Sequence, residues 1–215
     1  MKACIFGAGE YHGERLDLCE NAKIIAADGG FRYAVRMGLS VSLAIGDFDS
    51  LGEVPDGVLV KQYPVKKDDT DMALAAKEAI AMGCDEVYLF GALGGRLDHT
   101  LANITLLRAL AREGITAYIV GEGGVMTALT DGESLSFTGK PTGTLSIFSL
   151  SASSELTLSG TAYDVLKATL YADCALGVSN EFTKKEARIT LHTGEALVFW
   201  ADHTLALPIR ERIKT

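Results

Sequence analysis

Residues 1–130 alternate short apolar runs with segments of helical periodicity, the pattern of a parallel sheet covered by helices. Strands are predicted at Ala3 to Phe6, Lys23 to Ala27, Ser42 to Ile45, Val58 to Tyr63, Glu86 to Phe90 and Ala117 to Val120. Asp71 to Met82 opens on an acid, is rich in Ala, Leu, Lys and Glu, and stops at Gly83, so it predicts a helix. Leu97, Leu101, Ile104, Arg108 and Ala111 recur at steps of four and three and predict a second helix with that stripe inward, ending before Gly114. A third helix is predicted from Gly30 to Met37, closed by Gly38.

Beyond residue 130, Ser, Thr and Gly punctuate short alternating runs: Ser134 to Phe137, Thr144 to Leu150, Glu155 to Ser159, Arg188 to His192 and Ala196 to Trp200. That spacing predicts an antiparallel sheet or a sandwich. A boundary is expected near Thr130 to Glu133, dividing an α/β domain at 1–130 from a β domain at 131–215.

With 48% hydrophobic residues among 215, the chain has the material for a packed core and is not disordered. Its 20 Lys and Arg against 28 Asp and Glu leave −8, which offers no basic footprint to nucleic acid or an anionic membrane. The opening apolar run, Ala3 to Phe6, is short for a secretory signal, and nothing approaches the ~20 apolar residues of a membrane span. Cys4, Cys19, Cys84 and Cys174 are scattered without CxxC spacing, which favours free buried thiols over a zinc site. A cytoplasmic protein is the resulting expectation.

Four segments carry candidate chemistry. In Gly46-Asp47-Phe48-Asp49-Ser50, an extended chain would aim Asp47 and Asp49 into one space, although Asp and Ser also build ordinary turns. Asp28 ends a strand ahead of Gly29-Gly30, a ligand-facing turn or merely a tight one. Lys66 to Asp71 crowds three aspartates, Thr70 and two lysines at a helix start; capping accounts for one or two of them. Gly91 to His99 gathers glycines, Arg96 and Asp98 at a strand-to-helix junction, where Arg96 suits a bidentate phosphate contact and an Arg96–Asp98 surface pair is the plainer alternative.

If the sheet is parallel, all four lie at strand carboxyl ends along one edge. Two carboxylates ~5 Å apart repel by ~3 kcal/mol at an effective dielectric of ~20, so clustering Asp28, Asp47, Asp49 and Asp71 calls for a cation. Hard oxygen ligands without His or Cys indicate Mg²⁺. The residues alone therefore point to Mg²⁺-assisted chemistry on a phosphorylated substrate, most simply a nucleotide.

The sequence resembles the thiamine pyrophosphokinase family through ADGG (Asp28), GDFDS (Asp47, Asp49), KDDTD (Lys67 to Asp71), GGRLDHTLANI (Arg96, Asp98, Asn103) and the later GVSNEF (Ser179, Asn180), in that order over nearly the whole chain. The resemblance implies a Rossmann-like N-terminal α/β domain, a C-terminal antiparallel β-sandwich and a homodimer. It also implies Mg²⁺-dependent transfer of pyrophosphate from ATP to the thiamine hydroxyl, giving thiamine diphosphate and AMP. By matching motif, Asp47, Asp49 and Asp71 would hold Mg²⁺, with Asp49 or Asp71 accepting the proton. Asp28, Thr70, Arg96 and Asp98 would line the ATP site, and Ser179 and Asn180 the thiamine pocket. Gly7 to His12 departs from the family's opening and receives no role, and Trp200 is open between a thiamine stack and a core position. A pyrophosphokinase for another hydroxymethyl heterocycle such as a pterin, a non-catalytic nucleotide-binding regulator and a Mg²⁺-dependent phosphohydrolase are the alternatives.

Overall fold

The computed structural model describes residues 1–11, 15–48, 56–64, 68–121, 123–201 and 207–212. The chain divides into two compact units, Met1–Glu122 and Gly123–Thr215.

The first unit holds strands β1 (Lys2–Phe6), β2 (Lys23–Ala27), β3 (Leu43–Gly46), β4 (Leu59–Gln62), β5 (Glu86–Phe90) and β6 (Thr116–Gly121). They lie side by side in the order β6-β5-β1-β2-β3-β4, each pair parallel. Ile5, Ile25, Ile45 and Leu89 have no exposed surface, as expected of unbroken apolar strands covered on both faces. Three helices cross between strands: α1 (Gly30–Arg36), α2 (Asp71–Ala81) and α3 (Leu97–Arg112). Thr70 starts α2 by accepting the Ala73 N–H at 3.2 Å, which satisfies one of the free donors of the first turn.

Two expectations are corrected in this unit. The inward stripe of α3 is Asn103, Leu107, Leu110 and Ala111, whereas Leu97 and Leu101 are 72% and 56% exposed. The helix carries two stripes with the same spacing, and the one chosen lets the Asn103 amide meet the Ala92 carbonyl. After β3, buried Phe48 has a left-handed φ of 60°, so the chain between Asp47 and Asp49 is not extended and the simple alternation fails there. Asp49 lies outside the described residues, as do Ser50, Lys66 and Lys67.

The second unit is all β: β7 (Gly124–Leu129), β8 (Glu133–Phe137), β9 (Thr144–Ser149), β10 (Ser153–Ser159), β11 (Val165–Tyr171), β12 (Asn180–Glu181), β13 (Ala187–Thr193), β14 (Ala196–Trp200) and β15 (Ile209–Arg212). Antiparallel ladders join β12-β9-β14-β7 and β11-β10-β13-β8-β15. Their apolar faces share one core: Trp200, 1% exposed, meets Phe137 of the other ladder edge-on with ring centroids 5.4 Å apart. Trp200 is thus a core residue. The fold is the one expected, a parallel sheet with helices followed by antiparallel β layers. Cys4, Cys19 and Cys84 are buried free thiols, but Cys174 is exposed, against the expectation for all four.

Candidate active site

In the first unit β1 leads to β2 on one side and pairs with β5 on the other, so successive connections diverge beyond its carboxyl end. Such a switch point leaves a crevice where open α/β sheets take ligands. A cavity of about 310 Å³ occupies it. Its wall comes from the loop after β1 (Gly7, Ala8, Gly9), the end of β2 (Ala27, Asp28), the start of α2 (Thr70, Asp71, Met72), the loop after β5 (Gly91, Ala92, Gly94, Gly95) and the head of α3 (Arg96, His99, Asn103).

The ADGG segment folds for a packing reason. A Cβ on Gly30 would run into the Phe6 carbonyl, so glycine lets α1 start hard against the end of β1. Asp28, at a left-handed φ of 46°, donates its N–H to the Ile45 carbonyl at 2.7 Å, and its residue stands on the cavity wall.

Arg96 makes a fork to Asp98, Nε to Oδ1 at 3.1 Å and Nη2 to Oδ2 at 2.6 Å. Both groups are exposed, and the guanidinium holds the Asp98 carboxyl below the usual aspartate range. Only Arg96 of the two is on the cavity wall.

Of the residues expected at a nucleotide and metal site, then, the structure brings Asp28, Thr70, Asp71 and Arg96 to one cavity. Asp98 is tied to Arg96 outside the wall, Asp47 is half-buried and not on it, and Asp49 is not described. Among the described residues no three His, Cys, Asp or Glu side chains form a group able to hold a metal. The cavity's own carboxylates, Asp28 and Asp71, are hard oxygen donors with the Thr70 hydroxyl beside them, a chemistry that fits Mg²⁺ shared with phosphate oxygens.

Sequence reasoning gave no role to the Gly7–Gly9 loop, Met72 or Asn103. The glycines directly after a strand were the available signal for the loop. Asn103 gave a signal in its four-residue step to Leu107, but its partner Ala92 is visible only in three dimensions.

In the second unit Ser179 and Asn180 have different parts. Asn180 is 9% exposed with both ends of its amide engaged: Nδ2 donates to Thr161 Oγ1 at 3.2 Å and the Tyr163 carbonyl at 3.0 Å, while Oδ1 accepts from the Tyr163 and Glu181 N–H groups at 3.1 and 2.9 Å. Ser179 is exposed at a left-handed φ of 59°, with its backbone N–H on Ser146 Oγ at 3.0 Å. A second cavity of about 390 Å³ has aliphatic walls, among them Leu145, Ile147, Leu156 and Leu170, with Tyr163 and Asn180 as its polar members.

Residues 16–119 match the family described as "Thiamin pyrophosphokinase, catalytic domain", and residues 135–198 the one described as "Thiamin pyrophosphokinase, vitamin B1 binding domain". The chain belongs to the thiamin pyrophosphokinase family. A curated "Thiamine pyrophosphokinase" of Bacillus subtilis is 36% identical over 94 residues, a stretch that spans 41% of this chain and 44% of that protein. The solved thiamine pyrophosphokinase structure from Bacillus subtilis superposes with a TM-score of 0.82 at 24% identity, over 94% of this chain and 99% of the other. A thiamin pyrophosphokinase from Geobacillus thermodenitrificans gives 0.80 at 25% identity, over 96% and 100%. The thiamin pyrophosphokinase fold is therefore shared along nearly the full chain. The catalytic-domain match contains Asp28 through Asp98, and the vitamin B1 binding match contains Ser179 and Asn180.

Proposed function

We propose that the chain transfers the terminal pyrophosphoryl group of Mg²⁺-ATP to the hydroxyl of thiamine, releasing AMP and thiamine diphosphate. The observation that carries this reading is the switch-point cavity, where Asp28, Asp71 and Arg96 meet two glycine-rich loops, in a chain with both thiamin pyrophosphokinase domains.

The thiamine hydroxyl oxygen attacks the β-phosphorus, a bond forms there, and the bridge to the α-phosphorus breaks with its electron pair on AMP. When bound, Mg²⁺ offsets the charge of the phosphate oxygens. Asp71 is proposed to hold it from the cavity wall, where Asp28 is the other carboxylate, with Asp47 and Asp49 added as the family motif assigns them. Asp71 or Asp49 accepts the hydroxyl proton. Arg96 faces the transferred group and stabilises its spreading charge; Asp98 keeps the guanidinium oriented. Thr70 sets the start of α2 and with it Asp71, and Asp28 lines the ATP side of the cavity. Positioning and electrostatics supply most of the rate, as phosphoryl transfer requires little covalent help. Asn180 is on the wall of the second cavity, the proposed thiamine pocket, and Ser179, next to it in the chain and not itself on that wall, is proposed to meet the aminopyrimidine through its hydroxyl.

The active form is a homodimer. Tyr163, Leu166 and Leu176 are 73%, 82% and 77% exposed in the second unit, apolar surface that a partner subunit would cover, and light scattering tests the state. Three buried free thiols fit the reducing cytoplasm, and no helix among the described residues is long and apolar enough to cross a membrane.

Incubation with Mg²⁺-ATP and thiamine tests the reaction. AMP formed in step with thiamine diphosphate is the expected result. ADP, free phosphate or no turnover would instead favour an ordinary kinase, a phosphohydrolase or a nucleotide-binding regulator.

A further inference from the structure

The loop after β1 lines the cavity with Gly7, Ala8 and Gly9, but Glu10 behind them has no part in the reading so far, and these residues precede the segment that matches the catalytic domain, which begins at residue 16. The loop is nevertheless stitched to the loop after β5 by a backbone ladder: Gly7 N–H to the Phe90 carbonyl, Gly9 N–H to Gly91 and Glu10 N–H to Leu93, each at 2.9 Å. Beyond the ladder the Glu10 side chain continues the contact. Its Oε1 accepts the Gly95 N–H at 3.1 Å, and its chain lies across Gly94 so closely that a Cβ there would meet Glu10 Cγ at 2.6 Å.

Gly94 and Gly95 both have left-handed φ, 77° and 61°. Two consecutive glycines have the widest conformational freedom a chain offers, so such a turn is held in one shape only by contacts from outside it. On its N-terminal side the anchor is Asn103 to the Ala92 carbonyl. On its C-terminal side comes Arg96, which caps α3 without a side-chain hydrogen bond to the helix. Glu10 anchors the part between, immediately before the guanidinium that faces the cavity.

We propose that Glu10 is a positioning residue: its carboxylate clips the Gly94–Gly95 turn to the loop after β1 and thereby fixes where Arg96 presents its charge to the ATP phosphates. This rests on the pyrophosphokinase reading. The carboxylate also repels a polyphosphate, but across solvent-exposed surface that repulsion is screened, to about twofold in affinity. The loss of an ordered Arg96 is the larger effect. Because Glu10 takes the Gly95 N–H, that donor is used for shaping the loop and not for holding phosphate.

Glu10→Ala and Glu10→Gln test the clip, and Glu10 is exposed, so neither threatens folding. Glu10→Ala is expected to raise KM for Mg²⁺-ATP about five- to tenfold, the effect of losing one charge-assisted hydrogen bond, with KM for thiamine changed less than about twofold. Amide hydrogen exchange over residues 91–98 should quicken in the same variant. Glu10→Gln keeps a neutral acceptor oxygen and should recover a good part of both changes, leaving KM for Mg²⁺-ATP between those of Glu10→Ala and the unsubstituted chain. A lower KM for Mg²⁺-ATP in both variants would overturn the proposal by making the carboxylate a repelling charge, and so would equal rises in both KM values. Unaltered kinetics in Glu10→Ala, with AMP formed normally by the unsubstituted chain, would overturn the clip alone. No AMP from the unsubstituted chain would overturn the pyrophosphokinase reading and the clip with it.

Discussion

The buried amide of Asn103, on the second turn of α3, donates a 2.7 Å hydrogen bond to the Ala92 carbonyl in the loop after β5. One bond thus fixes both the rotation of the helix and the start of the glycine turn that leads to Arg96. Asn103→Leu keeps the branched outline, with somewhat bulkier ends, but leaves the carbonyl of Ala92, itself 3% exposed, without this donor, at a cost of about 1–3 kcal/mol. Urea unfolding should read that loss, and KM for Mg²⁺-ATP should rise while KM for thiamine holds. A stability loss with unchanged nucleotide kinetics would confine Asn103 to holding the helix.

The same residue marks where sequence reasoning reached its limit. Strands Lys23–Ala27, Glu86–Phe90 and Ala196–Trp200 are legible to the residue because a covered strand is an apolar run and a half-covered one alternates. Helix α3 is legible as a helix but not in phase, since Leu97-Leu101-Ile104 and Asn103-Leu107-Leu110 have the same spacing and a hydrogen bond decides between them. Strand β11 gave no signal because Val165, Leu166 and Tyr171 remain exposed, so polarity does not alternate with burial. Asp28, Thr70, Asp71 and Arg96 were legible as a group because each sits beside a strand end or helix start. Glu10 was not, because its partner Gly95 is 85 residues away.

Asp71 is the first residue of α2, where a carboxylate also complements the helix dipole. Asp71→Asn should therefore cost the fold no more than about 1 kcal/mol while abolishing AMP formation, and Asp47→Asn should do the same to turnover. Thermal unfolding and AMP release, followed against Mg²⁺ concentration, separate the two effects. Near-normal rates in both variants would remove these residues from the metal assignment, and turnover that persists after chelation with EDTA would remove the metal.

Neighbours Ser179 and Asn180 should part company on substitution. Ser179 is exposed, so Ser179→Ala should leave unfolding unchanged and raise KM for thiamine more than KM for ATP. Asn180→Ala strips the 161–164 loop of three hydrogen bonds and the Glu181 N–H of a fourth, in a site 9% exposed, and should lower stability by about 2–4 kcal/mol in urea unfolding. A thiamine effect confined to Asn180→Ala would reverse the assignment within the pair.

The strongest stability prediction lies in the second unit, at Glu133 and Arg210. Arg210 Nε and Nη2 donate to the two Glu133 oxygens at 3.1 and 2.7 Å, and the Thr130 N–H adds a third bond at 2.7 Å. Burial pushes the Glu133 carboxyl up, but the hydrogen bonds and charge of Arg210 pull it down further, so it titrates below the usual glutamate range. A depressed folded pKa stabilises above the unfolded value of about 4.3, and that contribution is lost as pH falls through the folded one. Arg210→Met leaves a buried carboxylate with, among the described residues, the Thr130 N–H and hydroxyl as its remaining donors, and should cost about 3–5 kcal/mol at pH 7. The deficit should shrink on acidification, because the stranded carboxylate then takes up a proton. Adding Glu133→Gln removes the charge and should recover part of the loss at pH 7. Urea midpoints at pH 7 and pH 4 check this; a deficit independent of pH would mean that Arg210 matters through the hydrogen bonds its guanidinium donates to the Thr127 hydroxyl and the Ala128 carbonyl, not through its pairing with Glu133.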